Sequence, residues 1–144
     1  MAVLANIGVI AGIVFLGLEL RQNNELLALQ SESENRARVN SMVEIVINNP
    51  DLSELMAKAP SELTQVEGDR LRALGIRMLL NFEDVFIDFG RGLVSSEEAI
   101  RRLRTVWCRE RLNYGAPLAW ESYRPRADPE FVQWFESNVI GSGC

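Results

Sequence analysis

The first eighteen residues, MAVLANIGVIAGIVFLGL, contain no charged side chain, and every Lys, Arg, Asp and Glu of the chain lies from Glu19 onward. As a helix rising about 1.5 Å per residue, this run would extend about 27 Å, close to a hydrocarbon core of ~30 Å. Its one polar side chain, Asn6, falls near the first turn, where it would sit at the interface. A surface helix would show a polar face, and this run is apolar all round. A cleaved signal peptide needs a basic start and a small-residue cleavage site. No Lys or Arg precedes the run, and Gly17-Leu18-Glu19 is a poor site. Burial in a water-soluble core is the remaining competitor.

The sequence therefore predicts a single-pass transmembrane anchor over residues 1–20 and a water-soluble domain over residues 21–144. Arg21, Arg36 and Arg38 follow the span and only the terminal amine precedes it. By the positive-inside rule this flank puts the domain in the cytoplasm, on an inner membrane. Gly8 and Gly12, with Ala5 nearby, form a strip of small residues that lets two helix backbones approach closely. Glycine is frequent in membrane helices, so the strip is a candidate dimer contact and no more.

Because the anchor is uncharged, the rest of the chain carries the whole formal charge of -5. An acidic surface repels phosphate backbones, so nucleic acid is a poor partner. The expected partners are membrane lipid and either further copies of the chain or a larger membrane complex. No His is present, which removes the commonest general base and transition-metal ligand. Cys108 and Cys144 are too few and too arbitrarily placed to read as a disulfide framework, and they fit a reducing compartment.

Past the apolar run no Gly or Pro occurs until Pro50, so the first helix is expected to run on to Asn48. Val39, Met42, Val43, Val46 and Ile47 step by three and four and are expected to face inward. Asn49 and Pro50 open a short helix that ends before Pro60. Thr64-Gln65-Val66-Glu67 has capping-box form and starts a third helix, whose apolar positions Leu71, Leu74, Met78, Phe82, Val85, Phe86 and Phe89 are the strongest periodic signal. Gly90-Arg91-Gly92 ends it. Ser95-Ser96-Glu97-Glu98 repeats the capping box for a fourth helix, expected to continue to Gly115. A short piece with Trp120 and Tyr123 follows, and Asp128-Pro129 caps a last helix carrying Phe131, Trp134 and Phe135. No stretch outside the span alternates convincingly as a strand. The expected fold is all-α, with the N-terminal transmembrane helix continuing into a bundle of about five helices.

Three stretches carry a family resemblance: the apolar run leading into Leu20-Arg21-Gln22-Asn23-Asn24, then Asn81-Phe82-Glu83-Asp84-Val85-Phe86 before Gly92-Leu93-Val94, and Ala119-Trp120-Glu121 before Pro129-Glu130-Phe131. Together they resemble a set of uncharacterised bacterial single-pass helical proteins with an "RQN" signature just after the membrane helix. The resemblance covers nearly the whole chain and implies a fold and an anchor, with no activity to carry over. Many relatives have a longer leader, so this copy reads as truncated at its start.

Chemistry is sparse. Glu83, Asp84 and Asp88 gather three carboxylates on the third helix, with Asp84 and Asp88 one turn apart. Such a group can serve acid and base roles or hold a hard cation. The di-iron pattern needs Glu-x-x-His pairs, however, and Arg70, Arg77 and Arg91 nearby favour a charged face pairing with other helices. Cys108, between Arg104 and Arg111, has cationic neighbours that lower a thiol pKa, but no base accompanies it, and a small boundary residue is the better reading. Arg21, Gln22 and Asn23 sit where the helix would leave the bilayer, suited to headgroups or to a polar register seam. Trp107, Trp120 and Trp134 read as core. With no nucleophile paired to a base, metal cluster or phosphate loop, the expectation is a non-enzymatic association module without a cofactor. The alternative is an enzyme or ligand sensor using the carboxylates of the third helix.

Overall fold

Every regular element among the described residues is helical, and six α-helices follow one another along the chain. The computed structural model describes residues 2–109 and 115–144, with side chains described from Gly8 in the first helix onward. The helices are α1 (Ala2–Asn48), α2 (Pro50–Ala57), α3 (Gln65–Gly90), α4 (Ser96–Trp107), α5 (Gly115–Tyr123) and α6 (Pro129–Phe135). A π-helical turn, Glu136–Ile140, continues α6.

Local chemistry sets most of these boundaries. Thr64 caps α3 reciprocally: its Oγ1 accepts from the Glu67 amide at 3.4 Å, and the Glu67 carboxylate accepts from the Thr64 amide at 2.8 Å. Asp128 caps α6 by accepting from the amides of Glu130 and Phe131, at 2.7 and 3.3 Å, and Pro129 opens the first turn. Two caps differ from expectation. Ser95 Oγ accepts from the Glu98 amide at 3.2 Å, but the Glu98 carboxylate turns to Arg101 and Arg102 instead of returning to the cap. Asn49 precedes α2 without capping it, its side-chain amide donating to the Ile45 carbonyl of α1 at 2.8 Å. The fourth helix ends at Trp107, earlier than expected, and residues 110–114 of the expected extension lie outside the described residues.

The core forms where α3 crosses α5, α6 and the turn after it. Leu79, Phe131, Phe135 and Val139 are fully buried. Phe82 stacks on Phe135 with ring centroids 5.6 Å apart, and Trp120 lies 5.1 Å from the same ring. Trp107 meets Phe135 edge-on at 5.3 Å and Trp134 meets Phe86 at 5.3 Å, so all three tryptophans serve packing. A smaller apolar group of Leu52, Leu55 and Leu71 seats α2 against α3, and Arg70 pairs with Asp51 at 2.6 Å across the same joint.

In α1 the expected apolar inward face holds at Met42 and Val46, which are half-buried, and is corrected at the other three positions. Val39, Val43 and Ile47 are exposed, and the residues turned toward the bundle are Ala28, Ser31, Asn35, Arg38, Met42 and Ile45. Their three-and-four spacing keeps them on one side of the helix, and three of the six, Ser31, Asn35 and Arg38, are polar. The helix docks by hydrogen bonds and ion pairs as well as through Met42 and Ile45, which pack against the two apolar clusters, so its apolar pattern marks the docked side only in part.

Candidate association surface

Three different faces of α1 carry different chemistry. The inner face is the polar seam. Ser31, the buried polar residue among those described, donates its hydroxyl to Asp88 at 2.5 Å. Arg38 pairs with Asp84, Arg77 donates to Ser41 Oγ at 3.2 Å, and Asn81 meets the Met42 sulfur at 3.2 Å. These contacts span about three turns of α1 and hold it along α3.

The three carboxylates of α3 are thereby accounted for, and they do not converge. Asp84 and Asp88 reach α1. Glu83 turns the other way, where it accepts the Tyr123 hydroxyl of α5 and the Asp128 amide at the start of α6, the latter at 3.1 Å. Burial, and then the hydrogen bond to Glu83, raises the Tyr123 pKa above its ordinary value, so the phenol stays a donor across the working range. Asp84 and Asp88 thus fasten α1 to α3, and Glu83 fastens α5 and the start of α6. Among the described residues no group of three or more His, Cys, Asp and Glu side chains is placed to hold a metal ion.

The outer face of α1 holds the small residues. Gly8 and Gly12 are exposed, with nothing within 4 Å of the position a Cβ would take. At about 100° per residue on a regular helix, they lie about 130° around the axis from the polar seam, pointing away from the bundle. Gln22 and Asn23 lie on either side of this strip, each within about 60° of it around the axis. Arg21 does not, and is engaged with Glu25 at 3.0 Å. The five residues singled out at the amino-terminal end thus divide: Gly8, Gly12, Gln22 and Asn23 share a side, while Arg21 lies off it.

The described part of the apolar run stands clear of the bundle. Val9, Ile10, Ile13, Val14, Phe15, Leu16, Leu18 and Leu20 are each 55–65% exposed. Among the described residues no helix is long and apolar enough to cross a membrane. The thirteen residues 8–20 would rise only about 20 Å, and the side chains of residues 1–7, which complete the expected span, lie outside the described residues. The boundary drawn between residues 20 and 21 falls inside an unbroken helix.

Between these faces, the flank of α1 lines a groove of ≈ 270 Å³ on α3 and α4, with Val39, Met42, Met78, Phe82 and Val106 on its walls and Arg101 and Arg102 at its edge. Both arginines bind Glu98, at 2.7 and 2.6 Å, and hold that carboxyl below its ordinary pKa. Val39, though exposed, thus lies on the groove side of α1.

The cysteines correct the sequence reading outright. Cys108 and Cys144 are joined in a disulfide, with Cα atoms 5.5 Å apart, so Cys108 is neither a reactive thiol nor an isolated boundary residue. Hydropathy periods do not report the polar seam, and the cysteine spacing does not report the bond. The one sequence mark of the seam is the three-and-four spacing of Ser31, Asn35 and Arg38.

The geometry defines an all-helical protein in which a long helix carries an uncovered apolar end past a small aromatic-cored bundle. Scans against protein-family models, curated proteins and solved structures find no match for this chain.

Proposed function

We propose that this chain is a membrane-anchored, single-pass, non-enzymatic association module that pairs with a second copy of itself along the outer face of α1. The observation that carries this reading is the exposed row of large apolar side chains from Val9 to Leu20, on the helix whose outer face bears Gly8 and Gly12. Apolar surface of this extent requires cover, and lipid supplies it on the sides of a spanning helix. The glycines permit close backbone approach on the side away from the bundle, so two bundles can sit outside a pair of α1 helices without colliding. Gln22 and Asn23 continue that face past the apolar run and offer amides to fix register. The resemblance to the RQN-bearing single-pass proteins points the same way. No specific observation favours the carboxylate enzyme or sensor, since Asp84 and Asp88 are engaged by α1 and Glu83 turns the other way, to α5 and α6.

The test is the full-length chain in native membranes and then in mild detergent. Retention in the pellet through an alkaline carbonate wash and a dimeric protein mass by light scattering are the expected results. Gly12→Leu should lower the dimer fraction at least several-fold without changing the helical signal. Release into the wash supernatant removes the anchor, and a monomeric mass at every loading removes the association.

A further inference from the structure

Two sets of contacts, neither involving sulfur, bring the cysteines together. Cys108 is the C-cap of α4, its amide donating to the Arg104 carbonyl at 2.8 Å. Cys144 is placed from the other direction. Val139, in the π-helical turn after α6, is fully buried against the core. Gly141 then donates to the Glu136 carbonyl at 2.7 Å. The Arg104 guanidinium reaches over to the Gly143 carbonyl at 2.8 Å. Gly143 takes a φ of +68°, a conformation that side chains disfavour, as it turns the backbone back toward α4. The resulting Cα separation of 5.5 Å is typical of disulfides.

We infer that the Cys108–Cys144 bond is present in the working protein and that the bundle sits on the oxidising side of its membrane. The bond forms by thiol–disulfide exchange with a small or protein disulfide. One cysteine thiolate attacks the donor, forming a mixed disulfide and expelling one donor thiolate. The second cysteine thiolate then attacks the sulfur of the first and expels the other. The cysteines lose two electrons, which reduce the donor, and their two protons end on the donor thiols. Cytosolic glutathione and thioredoxin run this exchange backwards, so such a pair persists outside the cytosol. The arginine flank of α1 points to the opposite side. Of the two indications the sulfur chemistry is the more exclusive, because arginines can be translocated, whereas structural disulfides are rare where glutathione and thioredoxin keep thiols reduced. The bond encloses α5, α6 and the turn that follows, the elements bearing Trp120, Phe131 and Phe135, and so fixes half of the aromatic core to the end of α4. The compartment half of this inference rests on the membrane reading, and the bond does not.

The full-length protein in its own membranes is quenched with acid and alkylated without reductant, and its intact mass is measured. The expected species carries no adduct and is lighter by two hydrogen atoms, and two adducts appear only after reduction. Two adducts without reductant would overturn the bond. A maleimide alone cannot report topology here, because a bonded Cys144 labels from neither side. Sealed vesicles of known orientation are therefore treated with a membrane-impermeant phosphine and then an impermeant maleimide. Labelling is expected where the non-cytoplasmic face is outward, and Cys108→Ser with Cys144→Ser should abolish it. Labelling confined to vesicles with the cytoplasmic face outward would overturn the compartment. Release of the protein by alkaline carbonate would also remove the compartment claim while leaving the mass result in force.

Discussion

Gly75 of α3 and Gly115 of α5 touch backbone to backbone: a Cβ added to Gly75 would stand 1.8 Å from the Gly115 carbonyl oxygen. A conflict with backbone cannot be relieved by turning a side chain, so the two helices would have to separate. Gly75→Ala is expected to destabilise the bundle by about 1–3 kcal/mol or more, against the usual gain of alanine within a helix. Gly68→Ala on the same helix, with nothing within 4 Å, should be neutral or stabilising. Thermal melts of the two variants check the contrast, and equal melting temperatures would contradict it.

Phe82 is buried between α4, Phe135 and its own helix, and removing its ring leaves a cavity the aromatic cluster cannot readily fill. Phe82→Ala should cost about 3–5 kcal/mol, a large part of the stability of a domain of this size. Denaturant unfolding measures it. A loss below about 1 kcal/mol would show that this aromatic cluster is not the core.

The α3 aspartates hold α1, so their loss should act locally. Asp84 and Arg38 are partly solvent-exposed, and exposed pairs contribute little to global stability. Asp84→Asn combined with Asp88→Asn should leave the main melt nearly unchanged while hydrogen exchange rises through the Ser31 to Arg38 stretch of α1. Unchanged protection there would mean that the seam is not what holds α1.

Glu67 sets a pH dependence at the corner between α2 and α3. Its hydrogen bond from Lys58, together with those from the backbone and hydroxyl of Thr64, lowers its pKa from 4.5 to about 2. A carboxyl depressed by folding contributes stability above its unfolded pKa, and that contribution is lost as pH falls through the folded value. Wild type should thus lose its advantage over Glu67→Gln between about pH 4.5 and pH 2. Parallel acid titrations by circular dichroism check this, and a constant gap down to pH 2 would rule it out.

The parts of this fold legible in the sequence are those specified by local chemistry. Thr64 and Asp128 announce helix starts because their side chains serve amides two or three residues away, and Phe82 repeats with Leu71 and Met78 because α3 buries one face. The rest depends on partners distant in the chain. Ser31 and Arg38 dock α1 through hydrogen bonds, which leave no hydropathy period, so Val39, Val43 and Ile47 suggested the wrong side. Gly75 reads as a weak point in a helix until α5 is laid across it. Cys108 and Cys144 are 36 residues apart, and only the packing of the turn after α6 against α4 brings them together. The carboxylates of α3 were visible as a group, while their division among α1, α5 and α6 required the helices to be in place.

The polar seam also imposes an order on synthesis. Ser31 leaves the ribosome 57 residues before its partner Asp88, and Arg38 leaves 46 before Asp84. At ~5–20 residues per second, Ser31 waits roughly 3–11 s for the aspartate that docks it. Throughout that interval no other element holds α1, and the apolar end, which stands clear of the bundle even in the finished fold, gains no cover from the bundle at any stage.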